Sequence, residues 1–215
     1  MTEISIYVEG GGNSAQQKAE LRQGLDALLG RQKRAAQGKK VRWKLVCCGS
    51  RSEAFRAFRN ASKQAPGSTA VLLVDSESPF SPAAGPARQA AQARVAHLAQ
   101  RDGWDFDSLV AERVHLMVQC MEAWIVADPK ALEAYYGRGF APNQLPVRQN
   151  LEDEPKIDVY AKLKRATESS TKGAYGKIKH ASQLLALIGP ENVAQRYRHF
   201  SVLTDWLDEV IVAAA

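Results

Sequence analysis

The chain of 215 residues has few of the residues and motifs on which several common enzyme classes depend. It contains three cysteines and four histidines, and neither set shows metal-ligand or catalytic-triad spacing. It also has no G-x-x-x-x-G-K-S/T phosphate loop, no G-x-G-x-x-G dinucleotide fingerprint and no G-x-S-x-G nucleophile elbow. These absences argue against nucleotide binding through a phosphate loop and against acyl-transfer chemistry.

Long apolar segments are missing as well. No run approaches the roughly 20 residues of a membrane-spanning helix, and the first residues lack the basic-then-apolar pattern of a signal peptide. The hydrophobic fraction of 45% and the charged fraction of 24% are typical of a globular domain. We therefore expect a cytoplasmic protein without a membrane partner, in which Cys47 and Cys48 are buried free thiols.

Two short apolar runs lead directly into acidic residues. The run from Ile4 to Val8 precedes Glu9, and the run from Ala70 to Val74 precedes Asp75 and Glu77. Runs of this length and composition are typical of buried strands in a parallel sheet, and ligands of such sheets bind at the carboxyl ends of the strands. We expect the three carboxylates to converge at one edge of the sheet.

Such a cluster of carboxylates needs compensation. Two carboxylates about 4 Å apart repel by roughly 4 kcal/mol at an effective dielectric constant near 20. The cluster therefore requires a divalent cation, a shared proton or a basic partner. Carboxylate oxygens suit Mg²⁺ or Mn²⁺, and in an extended segment Asp75 and Glu77 face the same side. The sequence predicts a magnesium site with Glu9, Asp75 and Glu77 as ligands.

The order of the predicted elements indicates an α/β fold, in which a small, mostly parallel sheet is flanked by helices and followed by a helical C-terminal part. Strands are expected near residues 4–8, 41–48, 70–74 and 113–118, and helices near 14–29, 52–64, 87–100, 120–127, 129–137, 157–167, 175–188 and 191–212. Ser14 and Asp128 are expected to cap helices, and Gly30 to end one. Residues 1–137 are predicted to form the sheet domain and residues 138–215 a helical extension packed on it.

Glu122 is an acidic residue in an apolar segment that includes Met117, Met121 and Trp124. A carboxylate in such surroundings is costly unless it is paired or bound to a metal. One interpretation makes Glu122 a catalytic member of the acid cluster. The other gives it a salt bridge, for example to Arg113 or to a lysine of the C-terminal part.

Basic residues indicate an anionic partner. The net charge is +6 and the pI is near 9.3. We expect Lys156, Lys172 and Lys177 to contact a nucleic acid, and Lys177 to neutralise charge in a phosphoryl transition state. A loop of solvated lysines is the alternative. The glycines at 10–12 either let the backbone approach a phosphate or simply form the turn into the next helix, and Arg51 is expected to point away from the inner face of its helix.

These residues resemble the Toprim fold, the metal-binding domain of topoisomerases, primases and OLD-type nucleases. In that family a Glu follows the first strand and a D-x-D motif follows the third; here Glu9 and Asp75-Ser76-Glu77 take these places, with Glu77 in place of the second Asp. More narrowly, the chain resembles a bacterial domain-of-unknown-function family of Toprim-like proteins over nearly its full length. The matching stretches are residues 6–10, 73–77, 115–124, 154–156 and 175–185.

The resemblance implies a magnesium-dependent endonuclease for DNA or RNA, with members often encoded beside an ABC-type ATPase in antiphage defence. Two alternatives stay open from the sequence. One is a non-catalytic, Toprim-shaped subunit that docks on an ATPase and regulates it. The other is a phosphatase or phosphotransferase for small molecules, which the positive charge of the chain disfavours.

Overall fold

The computed structural model describes residues 2–64, 68–81, 87–106 and 109–214. Its centre is a four-stranded sheet in which all strands are parallel and the order is β2-β1-β3-β4. The strands are β1 (Glu3–Val8), β2 (Arg42–Cys47), β3 (Ser68–Asp75) and β4 (Val114–Met117). The α/β class that the sequence predicts is confirmed.

Helices follow each strand and make up most of the C-terminal part. They are α1 (Ala15–Leu28), α2 (Gly30–Gly38), α3 (Arg51–Gln64), α4 (Ala87–Asp102), α5 (Glu122–Ile125), α6 (Pro129–Tyr136), α7 (Lys156–Thr167), α8 (Lys177–Leu185), α9 (Pro190–Arg196) and α10 (Arg198–Ala213). In the sheet region, α3 packs against β1 and β3, α1 packs against β2, and α4 and α10 pack against β4. Within the described residues, no helix has the length and apolar character required to cross a bilayer.

Both predicted helix caps are present. The Ser14 hydroxyl accepts a hydrogen bond from the Gln17 N–H, and the Gln17 side chain accepts one from the Ser14 N–H. This is a capping box, which satisfies N–H groups that the first turn leaves free. The Asp128 carboxylate accepts a hydrogen bond from the Ala131 N–H, with Pro129 in the first turn. Of the predicted thiols, Cys47 is buried and Cys48 is partly buried, and both are free.

The structure differs from the sequence predictions at three helices. The first helix ends at Leu28, close to the predicted stop at Gly30, but Gly30 begins a further helix, α2, that the sequence does not predict. The predicted helix over 191–212 is broken at Tyr197, whose backbone is extended and whose buried hydroxyl donates to the Val118 carbonyl at 2.5 Å. The predicted helix over 120–127 is only one turn long. The predicted break at Pro66-Gly67 and residues 82–86 lie outside the described residues.

The C-terminal helices share one buried core with the sheet. Helices α1 and α8 pack closely, and Gly24 permits this, because a Cβ at this position would lie 2.3 Å from the Ser182 carbonyl oxygen. The contact places α8, whose first residue is Lys177, against α1. The division of the chain at residue 137 stays a prediction.

Candidate metal centre

The register of the two central strands brings the predicted acids together. Val8 pairs with Leu73, and the Glu9 N–H donates to the Leu73 carbonyl at 3.1 Å. The Asp75 N–H in turn donates to Glu9 Oε2 at 3.2 Å. One oxygen from each of Glu9, Asp75 and Glu77 lies within 4.8 Å of the other two. We call these three residues the acid cluster.

Glu77 reaches the acid cluster by a different route from the one expected. The expected extended conformation after Asp75 is wrong, because β3 ends at Asp75 and Glu77 has a left-handed φ of +66°. The segment after β4 holds this turn: the Glu77 N–H donates to the Gln119 carbonyl at 3.1 Å, and the Gln119 N–H donates to Ser76 Oγ at 2.6 Å. A residue other than glycine in this conformation is uncommon and occurs often at functional sites.

Burial makes Asp75 and Glu9 costly to ionise in the absence of a metal. Asp75 is 2% exposed, and burial raises the pKa of its carboxyl to about 8, with a further upward contribution from Glu9. Burial also raises the pKa of Glu9, an effect that the Arg51 guanidinium opposes. Nearby positive charge therefore favours the ionised forms of Asp75 and Glu9.

Arg51 supplies part of that charge, although the sequence analysis placed it elsewhere. Its Nη1 lies 3.2 Å from Glu9 Oε2, 2.9 Å from the Asp75 carbonyl oxygen and 4.0 Å from Glu77 Oε1. Its Nε and Nη2 donate to the two oxygens of Asp102 at 3.1 and 2.6 Å. The expectation for Arg51 is wrong because α3 begins at the carboxyl edge of the sheet, so its first residue faces the acids.

Two of the three lysines predicted to contact nucleic acid are part of this centre. Lys156 Nζ lies 2.7 Å from Glu77 Oε2 and 3.9 Å from Asp75 Oδ2. Lys177 Nζ lies 3.4 Å from Glu122 Oε1 and contributes to the electrostatics of Asp75. Lys172 lies instead over the Tyr135 ring, with its Nζ 4.5 Å from the ring centroid. The three lysines therefore do not lie together at one site.

Glu122 is fully buried and paired with a lysine of the C-terminal part, as one of the two sequence-based interpretations predicted. The Tyr175 hydroxyl donates to its Oε1 at 3.1 Å, while Oε2 has no hydrogen-bond partner among the described residues. Glu122 is not among the three acids whose oxygens meet, in the part of the chain that the structure describes. Burial and the Glu122 carboxylate raise the pKa of Tyr175 well above its usual range.

The carboxylate oxygens of the acid cluster are ligands that suit a magnesium or manganese ion, and their separations are close to those that such an ion requires. With Mg–O distances of about 2.1 Å, oxygens on opposite sides of one ion are about 4.2 Å apart. The observed limit of 4.8 Å needs only small side-chain shifts to reach this value. Backbone N–H groups fix Asp75 Oδ1, at 2.9 Å from the Met121 nitrogen, and Glu9 Oε2. The second oxygen of each carboxylate accepts no hydrogen bond from the described residues, which leaves it available for a ligand.

The glycine loop after β1 forms one wall of the centre. Gly10, Gly11 and Gly12 all have positive φ, and a Cβ at Gly11 would lie 2.9 Å from the Lys18 Cα. Gly10 and Gly49 exchange two backbone hydrogen bonds of 2.9 Å, which join the loops after β1 and β2. The loop therefore does make the strand-to-helix turn, one of the two roles predicted for it.

Fold and site together define an α/β protein with a candidate centre for a divalent cation at the carboxyl edge of a parallel sheet. A family model described as "Domain of unknown function (DUF4276)" matches residues 8–208. The chain belongs to this DUF4276 family. No curated protein and no solved structure matches the chain.

Proposed function

We propose that the protein is a metal-dependent nuclease that hydrolyses phosphodiester bonds in DNA or RNA. The observation that carries the proposal is the convergence of Glu9, Asp75 and Glu77 at the ends of adjacent parallel strands. Three carboxylates in a largely buried site repel each other. Binding of a hard divalent cation would offset this repulsion. The Toprim resemblance supplies the reaction class.

The residues of the centre take distinct roles in this proposal. Glu9 and Asp75 hold the principal ion, Mg²⁺ or Mn²⁺, and Glu77 holds or orients a second. When bound, the ion polarises the phosphoryl oxygen and activates a water molecule. Lys156 lies next to the acids, where it pairs with Glu77. In this proposal it releases Glu77 and pairs with the scissile phosphate when the substrate binds. Lys177 keeps Glu122 charge-balanced and adds positive potential beside Asp75.

The proposed context is antiphage defence with an ABC-type ATPase as partner, and this part rests on the resemblance. A cytoplasmic location follows from the same context. Cleavage should therefore be assayed with the purified chain alone and with the chain and the ATPase together.

A non-catalytic subunit of an ATPase complex is the second candidate, and one observation favours it. Arg51 and Lys156 already pair with two of the three acids, with contacts of 3.2 Å to Glu9 and 2.7 Å to Glu77. Such pairing stabilises these carboxylates without a metal, which is what a purely structural site requires. This candidate predicts no cleavage under any metal condition.

A cleavage assay with matched amide variants tests the proposal. Glu9→Gln and Asp75→Asn keep the acceptor atoms used by the Asp75 and Met121 N–H groups but remove the charge that a cation needs. With Mg²⁺ or Mn²⁺ we expect single-stranded and duplex DNA and RNA to be cut by the wild type, and the rate to fall about 1,000-fold or more in either variant. Asp205→Asn, at an exposed position in α10, is the control and should cut normally.

Three outcomes contradict the proposal. Undiminished cleavage by the double variant Glu9→Gln/Asp75→Asn would exclude the acid cluster as the active site. Binding of Mn²⁺ by calorimetry without cleavage of any nucleic acid, in the presence of the ATPase, would support the regulatory subunit. Hydrolysis of a small phosphate ester in place of nucleic acid would support the phosphatase alternative.

A further inference from the structure

Glu77 has a second set of neighbours besides the other acids, because three cationic side chains surround its carboxylate. Lys156 Nζ lies 2.7 Å from Glu77 Oε2. Arg101 Nη2 lies 4.0 Å from the same oxygen, and Arg51 Nη1 lies 4.0 Å from Oε1. The cations come from separate elements: α3 and α7 begin with Arg51 and Lys156, and Arg101 lies in the last turn of α4. Together they form a place that holds an anionic group.

One acidic residue fixes the two arginines in this arrangement. Asp102 accepts hydrogen bonds from Arg51 Nε and Nη2 at 3.1 and 2.6 Å, and one from Arg101 Nη1 at 2.5 Å. The Arg51 guanidinium also lies over the Trp104 ring, 5.2 Å from its centroid. Two of the three cations are therefore held in position before a ligand arrives, which lowers the entropic cost of binding one.

A phosphate group can replace the Glu77 carboxylate at these donors. Both groups present oxygens to guanidinium and ammonium N–H groups, and arginine recognises both through paired hydrogen bonds. The side chains of Arg101, Lys156 and Glu77 are 34, 28 and 24% exposed. A phosphate in solution can therefore reach the place that Glu77 fills.

The divalent ion of the proposed function decides when these donors are available. Without the ion, the carboxylates of Glu9, Glu77 and Asp102 pair with the three cations and balance their charge. An ion on the acid cluster would neutralise Glu9 and Glu77 in place of the cations. The positive charge of the three cations is then no longer balanced, and it attracts a further anion.

We propose that Arg51, Arg101 and Lys156 form a phosphate-binding site, which the Glu77 carboxylate fills in the metal-free protein and leaves when the acid cluster holds a divalent ion. The inference deepens the proposed nuclease function and rests on it for the identity of the anion, a phosphate of the substrate. It adds two arginines to Lys156 as residues that touch the substrate. Metal and phosphate then favour each other, because each raises the affinity for the other by the same factor.

Calorimetric titration of the full chain with inorganic phosphate, in Mg²⁺ and in EDTA, tests the proposal. We expect phosphate to bind about tenfold more tightly in Mg²⁺ than in EDTA. Arg101→Gln should weaken phosphate binding in Mg²⁺ about tenfold, because a charged donor is lost. The affinity of this variant for Mg²⁺ alone should be undiminished, which also shows that the variant is folded.

Arg59→Gln is the matched control. Arg59 lies about two turns beyond Arg51 in α3 and pairs with Asp105 at 3.2 Å, and its side chain is 39% exposed, against 34% for Arg101. The substitution removes the same charge away from the acid cluster, so phosphate binding should match that of the wild type.

Dimethyl phosphate, used as a second titrant, distinguishes the two sources of the anion. Similar affinities of the two probes assign the site to a phosphodiester within a strand. Tighter binding of inorganic phosphate assigns it to a terminal phosphate.

Unchanged phosphate affinity in Arg101→Gln would overturn the proposal, because the ion alone would then hold the phosphate. Equal phosphate affinity in Mg²⁺ and EDTA would also overturn it. The proposed nuclease function fails in a different measurement. Phosphate binding that requires both Mg²⁺ and Arg101, without cleavage of any nucleic acid, supports the site and contradicts the activity. Cleavage with phosphate binding that is insensitive to Arg101→Gln does the reverse.

Discussion

The guanidinium of Arg51 contacts acids in two directions, Glu9 and Glu77 toward the sheet and Asp102 away from it. Its Nη1 therefore competes with any cation for the same carboxylates. The Arg51 side chain is 15% exposed, so this competition is only weakly screened by solvent. The apparent affinity for a divalent ion includes the cost of displacing this contact.

We expect Arg51→Met to bind Mn²⁺ more tightly, by roughly threefold to tenfold, because the competing cation is gone. The same variant should lose roughly 2 kcal/mol of stability without metal, since Glu9 and Asp102 each lose a charged hydrogen-bond donor. Calorimetric titration and urea unfolding in EDTA measure the two effects. Arg56→Met, on the same helix with a side chain 70% exposed, is the control and should change neither. Weaker Mn²⁺ binding by Arg51→Met would mean that Arg51 supports the site.

Asp75 gives the metal-free protein a characteristic pH dependence. Burial raises its pKa in the folded state to about 8, well above the ordinary 3.8, so the folded protein holds this proton more tightly than the unfolded chain does. The contribution of Asp75 to stability is therefore fully present below about pH 4 and is lost as the pH rises through about 8. In EDTA we expect the stability of the wild type to fall between pH 5 and pH 8 and that of Asp75→Asn to fall less. Thermal unfolding at each pH measures this, and parallel curves would show that Asp75 is ionised throughout.

At the level of elements, the pairing of α1 with α8 positions Lys177 and one wall of a cavity beside the acid cluster. Gly24→Ala would place a methyl group 2.3 Å from the Ser182 carbonyl oxygen, so one helix has to move. We expect a loss of roughly 1–3 kcal/mol in urea unfolding. Gly38→Ala, in α2, has no heavy atom within 4 Å of the new Cβ and should gain roughly 0.5–1 kcal/mol. Equal stabilities of the two variants would show that the α1–α8 contact is not tight.

The elements that sequence analysis predicts best are those whose local pattern and tertiary role agree. The apolar runs at 4–8 and 70–74 form the central strands β1 and β3, and their burial on both faces explains the absence of alternation. The acids after these strands meet because parallel strands place their carboxyl ends at one edge. The parallel direction of the two strands is therefore sufficient to predict that part of the site.

The remaining parts of the site depend on contacts between distant residues, which a local pattern does not encode. Asp102 is 51 residues from Arg51, and nothing in the spacing of the two indicates their ion pair. The conformation of Glu77 depends on Gln119, whose N–H and carbonyl group both bind the segment after β3. The break at Tyr197 occurs where its buried hydroxyl donates a hydrogen bond to the Val118 carbonyl. In each case a tertiary interaction overrides the local preference of the chain.

For the whole molecule, the sheet and the C-terminal helices share a single buried cluster. We therefore expect residues before and after 137 to unfold in one cooperative transition. Hydrogen exchange measured by mass spectrometry along a urea series checks this, with peptides from β1, α8 and α10 converging on one unfolding free energy. A separate, lower transition for α7 to α10 would instead show that the C-terminal part is an independently stable unit.

The polarity of the parallel sheet also decides how the protein is best attached to a surface. All four strands begin at the edge opposite the acid cluster. The five residue steps from Glu3 to Val8 in β1, at about 3.3 Å each, place Glu3 about 17 Å from the carboxyl end of the strand. A biotin or dye joined ahead of Glu3 would therefore lie at the opposite edge of the sheet from the acid cluster. An immobilised sample would keep the acid cluster accessible to the solution in a single-molecule or biosensor measurement.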